Sequence, residues 1–301
     1  MNDGRTTLLA TLTVAVTGIL WGFYWIPVRS LTEAGLPGAW GTVVITSAAV
    51  LLLSPLAVIL RHQFAKTGAV ALLSIALGGA AFTLYSIGFV YGRVAIIILL
   101  YFLTPVWSAV IGRYVMGWHS SYVRLLAILA GLIGLVVMLS AGGGLPLPRG
   151  PGEWMALSAG FLWSVASTGI RAKSTLKPVA AAFVFALGAA VMAVALAPLL
   201  EPWPEAVLTG IPGSWAGLAL LTGGLWWGAS IAALMWATAR LEPVRVGILL
   251  MTEVPVGAVS AAMLAGEHLE LPEIAGGLLV LCAGILEVWP VRRIAGGKSG
   301  P

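Results

Sequence analysis

The chain has 301 residues, of which 60% are hydrophobic and only 9% are charged. Its mean hydropathy is +1.02. Soluble globular domains carry about 25% charged residues, so this composition excludes a soluble globule and indicates a protein of the lipid bilayer. The net charge of +5 does not call for a nucleic-acid partner, because the positions of the basic residues follow the membrane topology described below.

Ten hydrophobic stretches follow one another, each close to the roughly 20 residues that a membrane-spanning helix needs. Gly, Pro and charged residues cluster between them, and the loops are too short for a soluble domain of ordinary size. The sequence therefore predicts an all-α integral membrane protein with ten transmembrane helices. The predicted spans are residues 7–28, 38–60, 68–91, 94–116, 122–141, 152–171, 178–199, 213–238, 244–265 and 271–290.

The distribution of Lys and Arg predicts the orientation, because cytoplasmic loops retain basic residues. With the N-terminus inside, 13 of the 16 basic residues lie on inner segments, and only Arg29, Arg93 and Arg149 lie outside. We therefore expect a multi-pass membrane protein with both termini in the cytoplasm. The single cysteine, Cys282, excludes an intrachain disulfide and a cysteine metal cluster, and we expect neither a metal nor a cofactor.

Short motifs recur in the same order in the two halves of the chain, which predicts repeats over residues 1–148 and 149–301. Five helices per half make the second repeat enter the membrane from the opposite side. Two inverted five-helix repeats around a central cavity can open alternately to either side, although duplication also produces symmetric channels and inert scaffolds. The recurring motifs are Gly18–Trp21 with Gly160–Trp163 at an offset of 142, Gly78–Gly79 with Gly223–Gly224, and Leu99–Leu100 plus Pro105 with Leu249–Leu250 plus Pro255.

Several motifs resemble the drug/metabolite transporter (DMT) superfamily, specifically its EamA-like members. Ile98–Val106 resembles the fourth helix of that family, Thr252–Val256 and Leu264–Glu267 resemble the ninth helix and its Gly-Glu end, and Gly18–Trp21 resembles the start of the first. Among these members, the chain resembles the YddG-type aromatic amino acid exporters of bacterial inner membranes, which implies a bacterial inner-membrane location for this protein. The resemblance implies ten helices, a central substrate cavity and outward movement of amino acids or related metabolites. The N-terminal half departs from the pattern, since Met116–His119 replaces the Gly-Glu end.

Glu253 is the only carboxylate near the middle of a predicted span. A charged residue at a helix centre costs about 2.5–3.5 kcal/mol on the insertion scale, so such residues usually have a function. Glu253 is therefore a candidate proton-coupling site or partner of a substrate ammonium group. The alternative is a hydrogen-bonded carboxyl group that stabilises the turn near Pro255.

Aromatic side chains are the second indication of a binding site, because the chain contains 13 Trp and several lie well inside the spans. Trp21 and Trp25 are four residues apart and share a helix face. Such a stripe also arises from ordinary packing or from interfacial anchoring. The predicted substrate-binding residues are Trp21, Tyr24, Trp25, Phe82, Tyr85, Ser86, Tyr101, Trp163, Ser167, Trp226, Trp227, Ser230 and Glu253.

Three prolines inside the spans remove backbone donors and free carbonyl groups one turn earlier. Broken helices of this kind form substrate sites in transporters. We predict that Pro27, Pro105 and Pro255 are hinges, whether or not the freed carbonyl groups contact substrate.

The leading functional hypothesis is a secondary transporter that exports aromatic or other apolar amino acids, with small neutral ones and related metabolites also candidates. A second hypothesis is a proton-coupled exporter of cationic drugs, in which Glu253 and tryptophans bind the cation. A passive channel and an integral membrane enzyme acting on lipids are further alternatives. The enzyme is disfavoured because His62, His119 and His268 are lone residues without a nearby Asp. We expect no enzymatic activity, no nucleic-acid partner and a chain able to function as a monomer.

Overall fold

The computed structural model describes residues 2–114, 117, 122–142, 147–173, 176–205, 214–238, 240, 241, 246 and 249–288. These residues are helical or lie in short connections, and none of them forms a strand, which confirms the all-helical prediction for this part of the chain. The helices are α1 Asn2–Gly22, α2 Trp25–Glu33, α3 Trp40–Ile59, α4 Arg61–Lys66, α5 Ala69–Tyr91, α6 Val94–Tyr101, α7 Thr104–Tyr114, α8 Tyr122–Leu139, α9 Pro151–Lys173, α10 Pro178–Leu200, α11 Ser214–Thr222, α12 Ile231–Thr238, α13 Glu253–Leu264 and α14 Leu271–Val288.

Five segments are long and apolar enough to cross a membrane, and they are Gly4–Glu33, Trp40–Ile59, Ala69–Tyr91, Pro178–Leu200 and Trp215–Ala237. Shorter apolar helices accompany them at Val94–Ser108, Ile128–Leu139, Glu253–Leu264 and Leu271–Ala283. Many large apolar side chains remain exposed on these helices, including Leu51, Leu73 and Met263. Such a surface suits contact with lipid, and these helices are consistent with the prediction of a membrane protein.

Three segments that the sequence predicts as continuous spans are interrupted by short turns. A proline follows each turn, at the third, second and third position of the next helix. Proline has no backbone N–H and crowds the preceding turn, so a helix tolerates it in the first turn, where N–H groups lack intrahelical partners anyway. The turns and their prolines are residues 23–24 before Pro27, residues 102–103 before Pro105, and residues 251–252 before Pro255.

A π-helical segment, Gly223–Ser230, joins α11 to α12 within the stretch predicted as one regular span. It contains Trp226, Trp227 and Ser230, three of the predicted substrate-binding residues. π-Helical turns are rare and are frequent at functional sites.

The long helices pack in pairs. α5 contacts α9 and α10, α3 contacts α10 and the π-helical segment, and α1 contacts α12 and α13. α8 lies mainly against α14, where Gly134 and Gly276 face each other. A Cβ added to Gly134 would lie 2.7 Å from the carbonyl oxygen of Gly276, and one added to Gly276 would lie 2.5 Å from that of Gly134. Only glycine allows the two helices to cross so closely.

Candidate functional site

Phe82, on α5, lies at the centre of an aromatic cluster. Its ring is only 9% exposed and meets most of its neighbours edge-on. Edge-to-face pairs of this kind contribute about 0.5–1.5 kcal/mol each beyond their buried area. The ring-centroid distances from Phe82 are 5.0 Å to Trp21, 5.2 Å to Trp163, 5.2 Å to Phe185, 5.5 Å to Tyr101, 6.2 Å to Tyr85 and 6.3 Å to Trp227.

The cluster brings together helices that are far apart in the sequence. Trp21 is the last residue but one of α1, close to the turn at residues 23–24, and Tyr101 ends α6 next to the turn at residues 102–103. Trp163 comes from α9 and Trp227 from the π-helical segment. The aromatic cluster, defined here as Trp21, Tyr24, Phe82, Tyr85, Phe89, Tyr101, Trp163, Phe185, Trp226 and Trp227, therefore lies where two of the three interrupted helices change direction.

A chain of hydrogen bonds crosses the cluster and joins the turn at residues 23–24 to the π-helical segment, α5 and α3. Trp227 Nε1 donates to the Tyr24 hydroxyl at 2.9 Å, and that hydroxyl lies 2.9 Å from Ser86 Oγ. Ser86 Oγ in turn lies 2.8 Å from Thr42 Oγ1. All four side chains are buried, so these bonds satisfy polar groups that would otherwise be costly. The cluster consequently contains hydroxyl groups that can exchange partners with a polar ligand.

Glu253 is the first residue of α13 and adjoins the turn at residues 251–252, rather than lying in mid-helix. It is 6% exposed, and its Oε1 accepts a hydrogen bond from the Tyr85 hydroxyl at 2.5 Å. Tyr85 also packs on Tyr101, with ring centroids 4.6 Å apart. Within the described part of the chain the Glu253 carboxyl group forms no ion pair. The site thus has one acidic group at the edge of the aromatic cluster.

Most of the predicted substrate-binding residues lie together. Eight of the predicted aromatic residues belong to the cluster. Three further predicted residues form hydrogen bonds with cluster members, and they are Ser86, Ser230 and Glu253. Ser230 Oγ accepts from Trp21 Nε1 at 3.0 Å. The eight aromatic residues are Trp21, Tyr24, Phe82, Tyr85, Tyr101, Trp163, Trp226 and Trp227.

Trp25 and Ser167 make other contacts. Trp25 Nε1 donates to Ser260 Oγ at 3.0 Å, and the Arg29 guanidinium lies 5.3 Å from the centre of the indole ring. The turn at residues 23–24 rotates Trp25 relative to Trp21, so the regular helix assumed for the pair does not apply. Ser167 Oγ donates to the Ser164 carbonyl oxygen within its own helix at 3.2 Å.

The predicted hinges lie close to the three turns. Pro27 is buried, Pro255 is exposed, and Pro105 is the second residue of α7. Pro255 lines a groove of about 520 Å³ together with the turn residue Phe23. The other residues of this groove are Val256, Val259, Ser260, Met263 and Leu264. Its wall carries no charged side chain.

Sequence reasoning missed Phe185, Thr42 and Ser260. Phe185 is fully buried between Phe82 and Trp163, and its aromatic ring in the alanine-rich helix α10 was a signal that could have identified it. Ser260 is the only hydroxyl residue of α13 and Thr42 is one of four in α3, and nothing in the local pattern distinguishes either from hydroxyls bonded to their own helix.

Three polar contacts connect helices at one end of the bundle, which we call the clamp end. Arg29 forms an ion pair with Glu267 at 3.0 Å, and Arg93 pairs with Glu273 at 2.6 Å. The Tyr91 hydroxyl donates to Glu201 Oε1 at 3.1 Å. Each contact joins a residue before position 149 to one after it, so the clamp end ties the two halves of the chain together.

The described residues contain no group of three or more His, Cys, Asp or Glu side chains that could hold a metal ion. The chemistry visible at the site is therefore that of aromatic rings, hydroxyl groups and one carboxyl group.

No family model matches the chain, and no curated protein is similar to it. A solved structure described as "Crystal structure of protein" aligns with 97% of this chain and 99% of its own, with a TM-score of 0.60 and 18% sequence identity. Over the aligned part, the chain thus has a fold similar to that of an experimentally determined protein. At 18% sequence identity, this similarity shows only that the two proteins share a fold.

Proposed function

We propose that the protein is a secondary transporter of the DMT superfamily that exports aromatic and other apolar amino acids and related metabolites across the bacterial inner membrane. The observation that carries the proposal is the aromatic cluster with one carboxyl group at its edge, built by helices from both halves of the chain beside interrupted helices. Transporters bind substrates at such interruptions near the bilayer midplane.

Paired contacts support an arrangement of ten helices as two inverted repeats. A Cβ added to Gly79 would lie 2.8 Å from the backbone nitrogen of Ala189, and one added to Gly223 would lie 2.8 Å from that of Ala49. Gly223 follows Gly79 by 144 positions, and Ala189 follows Ala49 by 140. The contact between α5 and α10 therefore has a counterpart between the π-helical segment and α3. These contacts pair Gly79 with Gly223, whereas the sequence motif pairs Gly78 with Gly223, so the two alignments of the halves differ by one position.

A second pair of contacts also relates equivalent helices of the two predicted repeats. A Cβ on Gly160 of α9 would lie 2.7 Å from the Tyr101 carbonyl oxygen, and one on Gly18 of α1 would lie 3.1 Å from that of Leu250. Helices equivalent in the predicted repeats thus approach each other at equivalent glycines. This reciprocity favours two structurally similar units that rock against each other, which is the basis of alternating access.

The proposed binding mode assigns one part of the site to each part of an amino acid. The side chain packs among the rings around Phe82, the ammonium group binds Glu253, and hydroxyl groups such as Tyr24 and Ser86 bind the carboxylate. The rings contact one another in the described conformation, so substrate entry requires that they separate. A rocking motion about the turns at residues 23–24 and 102–103 provides that separation.

The described conformation is closed at the clamp end. In the orientation expected from the basic residues, with both termini in the cytoplasm, Arg29, Arg93, Glu267 and Glu273 face the outer side. Two ion pairs and the contact between Tyr91 and Glu201 then close the outer side of the proposed pathway. Export requires that these contacts break in each transport cycle.

Flux into liposomes tests the proposal. Purified protein is reconstituted with and without a pH gradient, and uptake of labelled phenylalanine, threonine and a quaternary ammonium dye is measured. Saturable phenylalanine flux that protein-free liposomes lack supports the proposal. Absence of amino acid flux in protein that retains its native fold contradicts it.

A proton-coupled exporter of cationic drugs is a second candidate, and Glu253 favours it. This buried carboxyl group has a phenol as its hydrogen-bond partner and aromatic rings nearby, an arrangement that suits a desolvated organic cation. Dye flux that requires a pH gradient would select this function, whereas amino acid flux without a gradient requirement would select the first.

A further inference from the structure

The carboxylate of Glu267 occupies a site built for carboxylates. Its Oε1 accepts hydrogen bonds from Arg29 Nη2 at 3.0 Å and from the backbone N–H of Val94 at 2.9 Å. Its Oε2 accepts from the backbone N–H of Ala95 at 3.4 Å. These N–H groups begin α6, where the helix dipole also favours negative charge. We call the Arg29 guanidinium with the N–H groups of Val94 and Ala95 the carboxylate seat.

The seat is also held by contacts that do not involve Glu267. Arg29 Nε donates to the Phe89 carbonyl oxygen at 3.0 Å, and Arg29 Nη2 donates to that of Gly92 at 2.9 Å. The guanidinium also lies against the indole ring of Trp25. All of these partners belong to the N-terminal half of the chain, so the cation and the helix end are fixed relative to each other.

The occupant comes from the other half. Glu267 follows α13 and is 173 residues away from Val94 in the sequence. A motion at the clamp end that moves Glu267 away from α6 removes one acceptor of Arg29 Nη2 and the acceptor of the backbone N–H groups of Val94 and Ala95. Unpaired donors of this kind are costly, particularly on a partly buried arginine whose side chain is 29% exposed.

We propose that the carboxylate seat binds the carboxylate of the transported molecule when the clamp end opens, and that Glu267 is a tethered stand-in that reoccupies the seat after release. This inference rests on the proposed function, because it identifies the ligand as a substrate carboxylate. The seat thereby becomes a second, outer station for amino acids or related carboxylic acids. Competition between Glu267 and substrate links closure of this end to departure of the substrate.

Chemical rescue tests the seat directly. Glu267→Ala removes the tethered carboxylate, and we expect it to lower the unfolding temperature of the full-length protein in detergent. Sodium acetate, compared with sodium chloride at equal ionic strength, is then expected to raise the unfolding temperature of this variant by about 2–4 °C. The wild-type protein, whose seat is filled, shows no such difference.

Two controls identify the site of rescue. The double variant Arg29→Gln/Glu267→Ala lacks the guanidinium and gains nothing from acetate. Glu201→Ala removes a carboxylate at the same end whose partner is the Tyr91 hydroxyl, and acetate does not rescue it either. Equal effects of acetate and chloride on Glu267→Ala, or equal rescue of the double variant, would overturn the proposal.

A flux experiment separates failure of the seat from failure of the proposed function, and it does not depend on the folding of Glu267→Ala. Arg29→Gln is expected to raise the KM for phenylalanine by about tenfold or more, the loss typical of a hydrogen bond to a charged group. The KM for phenethylamine, which lacks the carboxylate, is expected to stay unchanged. Equal changes for both molecules would refute the seat while leaving the carrier function intact. If the wild-type protein transports neither molecule while acetate still stabilises the Glu267→Ala variant, the seat binds carboxylates but has no function in transport. That outcome would refute the proposal.

Discussion

The hydroxyl group of Tyr85 and Oε1 of Glu253 lie 2.5 Å apart and join α5 to the start of α13, across 168 residues of sequence. Both side chains are buried beside the aromatic cluster. The bond places the single acidic group of the site at a turn in one helix and within reach of a second.

Glu253→Gln tests whether this carboxyl group binds a substrate ammonium group. We expect the KM for phenylalanine to rise by about ten- to hundredfold, since a charge-assisted hydrogen bond contributes about 1.5–3 kcal/mol. The KM for 3-phenylpropionate, which has no ammonium group, should change little. Liposome uptake measures both values, and an equal rise for the two molecules would assign Glu253 to structure alone.

Phe82→Leu tests the central ring of the aromatic cluster. Loss of its edge-to-face contacts is expected to weaken transport of phenylalanine by about two- to tenfold relative to leucine, because each contact contributes about 0.5–1.5 kcal/mol. Phe64→Leu is the matched control, since Phe64 packs on Phe183 at 6.0 Å outside the cluster. Competition between labelled phenylalanine and leucine gives the ratio. The same ratio in both variants would argue against a binding role for Phe82.

Tyr24→Phe interrupts the hydrogen-bond chain through Trp227 and Ser86. The buried indole N–H of Trp227 then loses its acceptor, and we expect the free energy of unfolding to fall by about 1–3 kcal/mol. Ser54→Ala is the control, because Ser54 is bonded to a carbonyl group of its own helix in an exposed position. Denaturation in detergent, followed by tryptophan fluorescence, compares the two. Equal stability of Tyr24→Phe and wild type would show that another acceptor replaces the hydroxyl group.

Gly276→Ala tests the crossing of α8 and α14. The new Cβ would lie 2.5 Å from the Gly134 carbonyl oxygen, so the helices must separate, at a cost of about 1–3 kcal/mol of stability. Gly217→Ala is the matched control, since nothing lies within 4 Å of its new Cβ, and it is expected to be neutral or to stabilise by up to about 1 kcal/mol. Thermal unfolding in detergent distinguishes them. A stable Gly276→Ala protein would contradict the close crossing.

Single cysteines test the orientation. In a Cys282→Ala background, Glu33→Cys is expected to react with an impermeant maleimide added outside right-side-out vesicles. Gly4→Cys and Lys66→Cys should react only after permeabilisation, because they lie on segments expected in the cytoplasm. All three positions are exposed. Labelling of the last two from outside would reverse the topology.

Sequence patterns predicted the bounds of two long helices closely, because apolar length and charged ends are local properties. The helix α10, Pro178–Leu200, differs from its predicted span by one residue, and α5, Ala69–Tyr91, differs equally little. The position of the turn at residues 23–24 was harder to predict, because a proline indicates that a helix is interrupted nearby but not at which residue. Trp25 was consequently assigned to the face of Trp21.

The contacts between helices were beyond the sequence patterns for a different reason. The bond between Tyr24 and Ser86 and the ion pair between Arg29 and Glu267 depend on the rotation of each helix about its axis, which tertiary packing determines. The same limit explains why Phe185 was missed. Its ring reaches Phe82 only because Gly79 lets α5 and α10 approach closely.

The contact of Gly134 with Gly276 is reciprocal, since each glycine faces the carbonyl group of the other. A point that both helices share in this way can act as a fulcrum. When α8 and α14 tilt about it, the distance between them grows at one end by as much as it shrinks at the other. The crossing would then couple the two ends of this helix pair, so that α8 and α14 could not separate from each other at both ends at once.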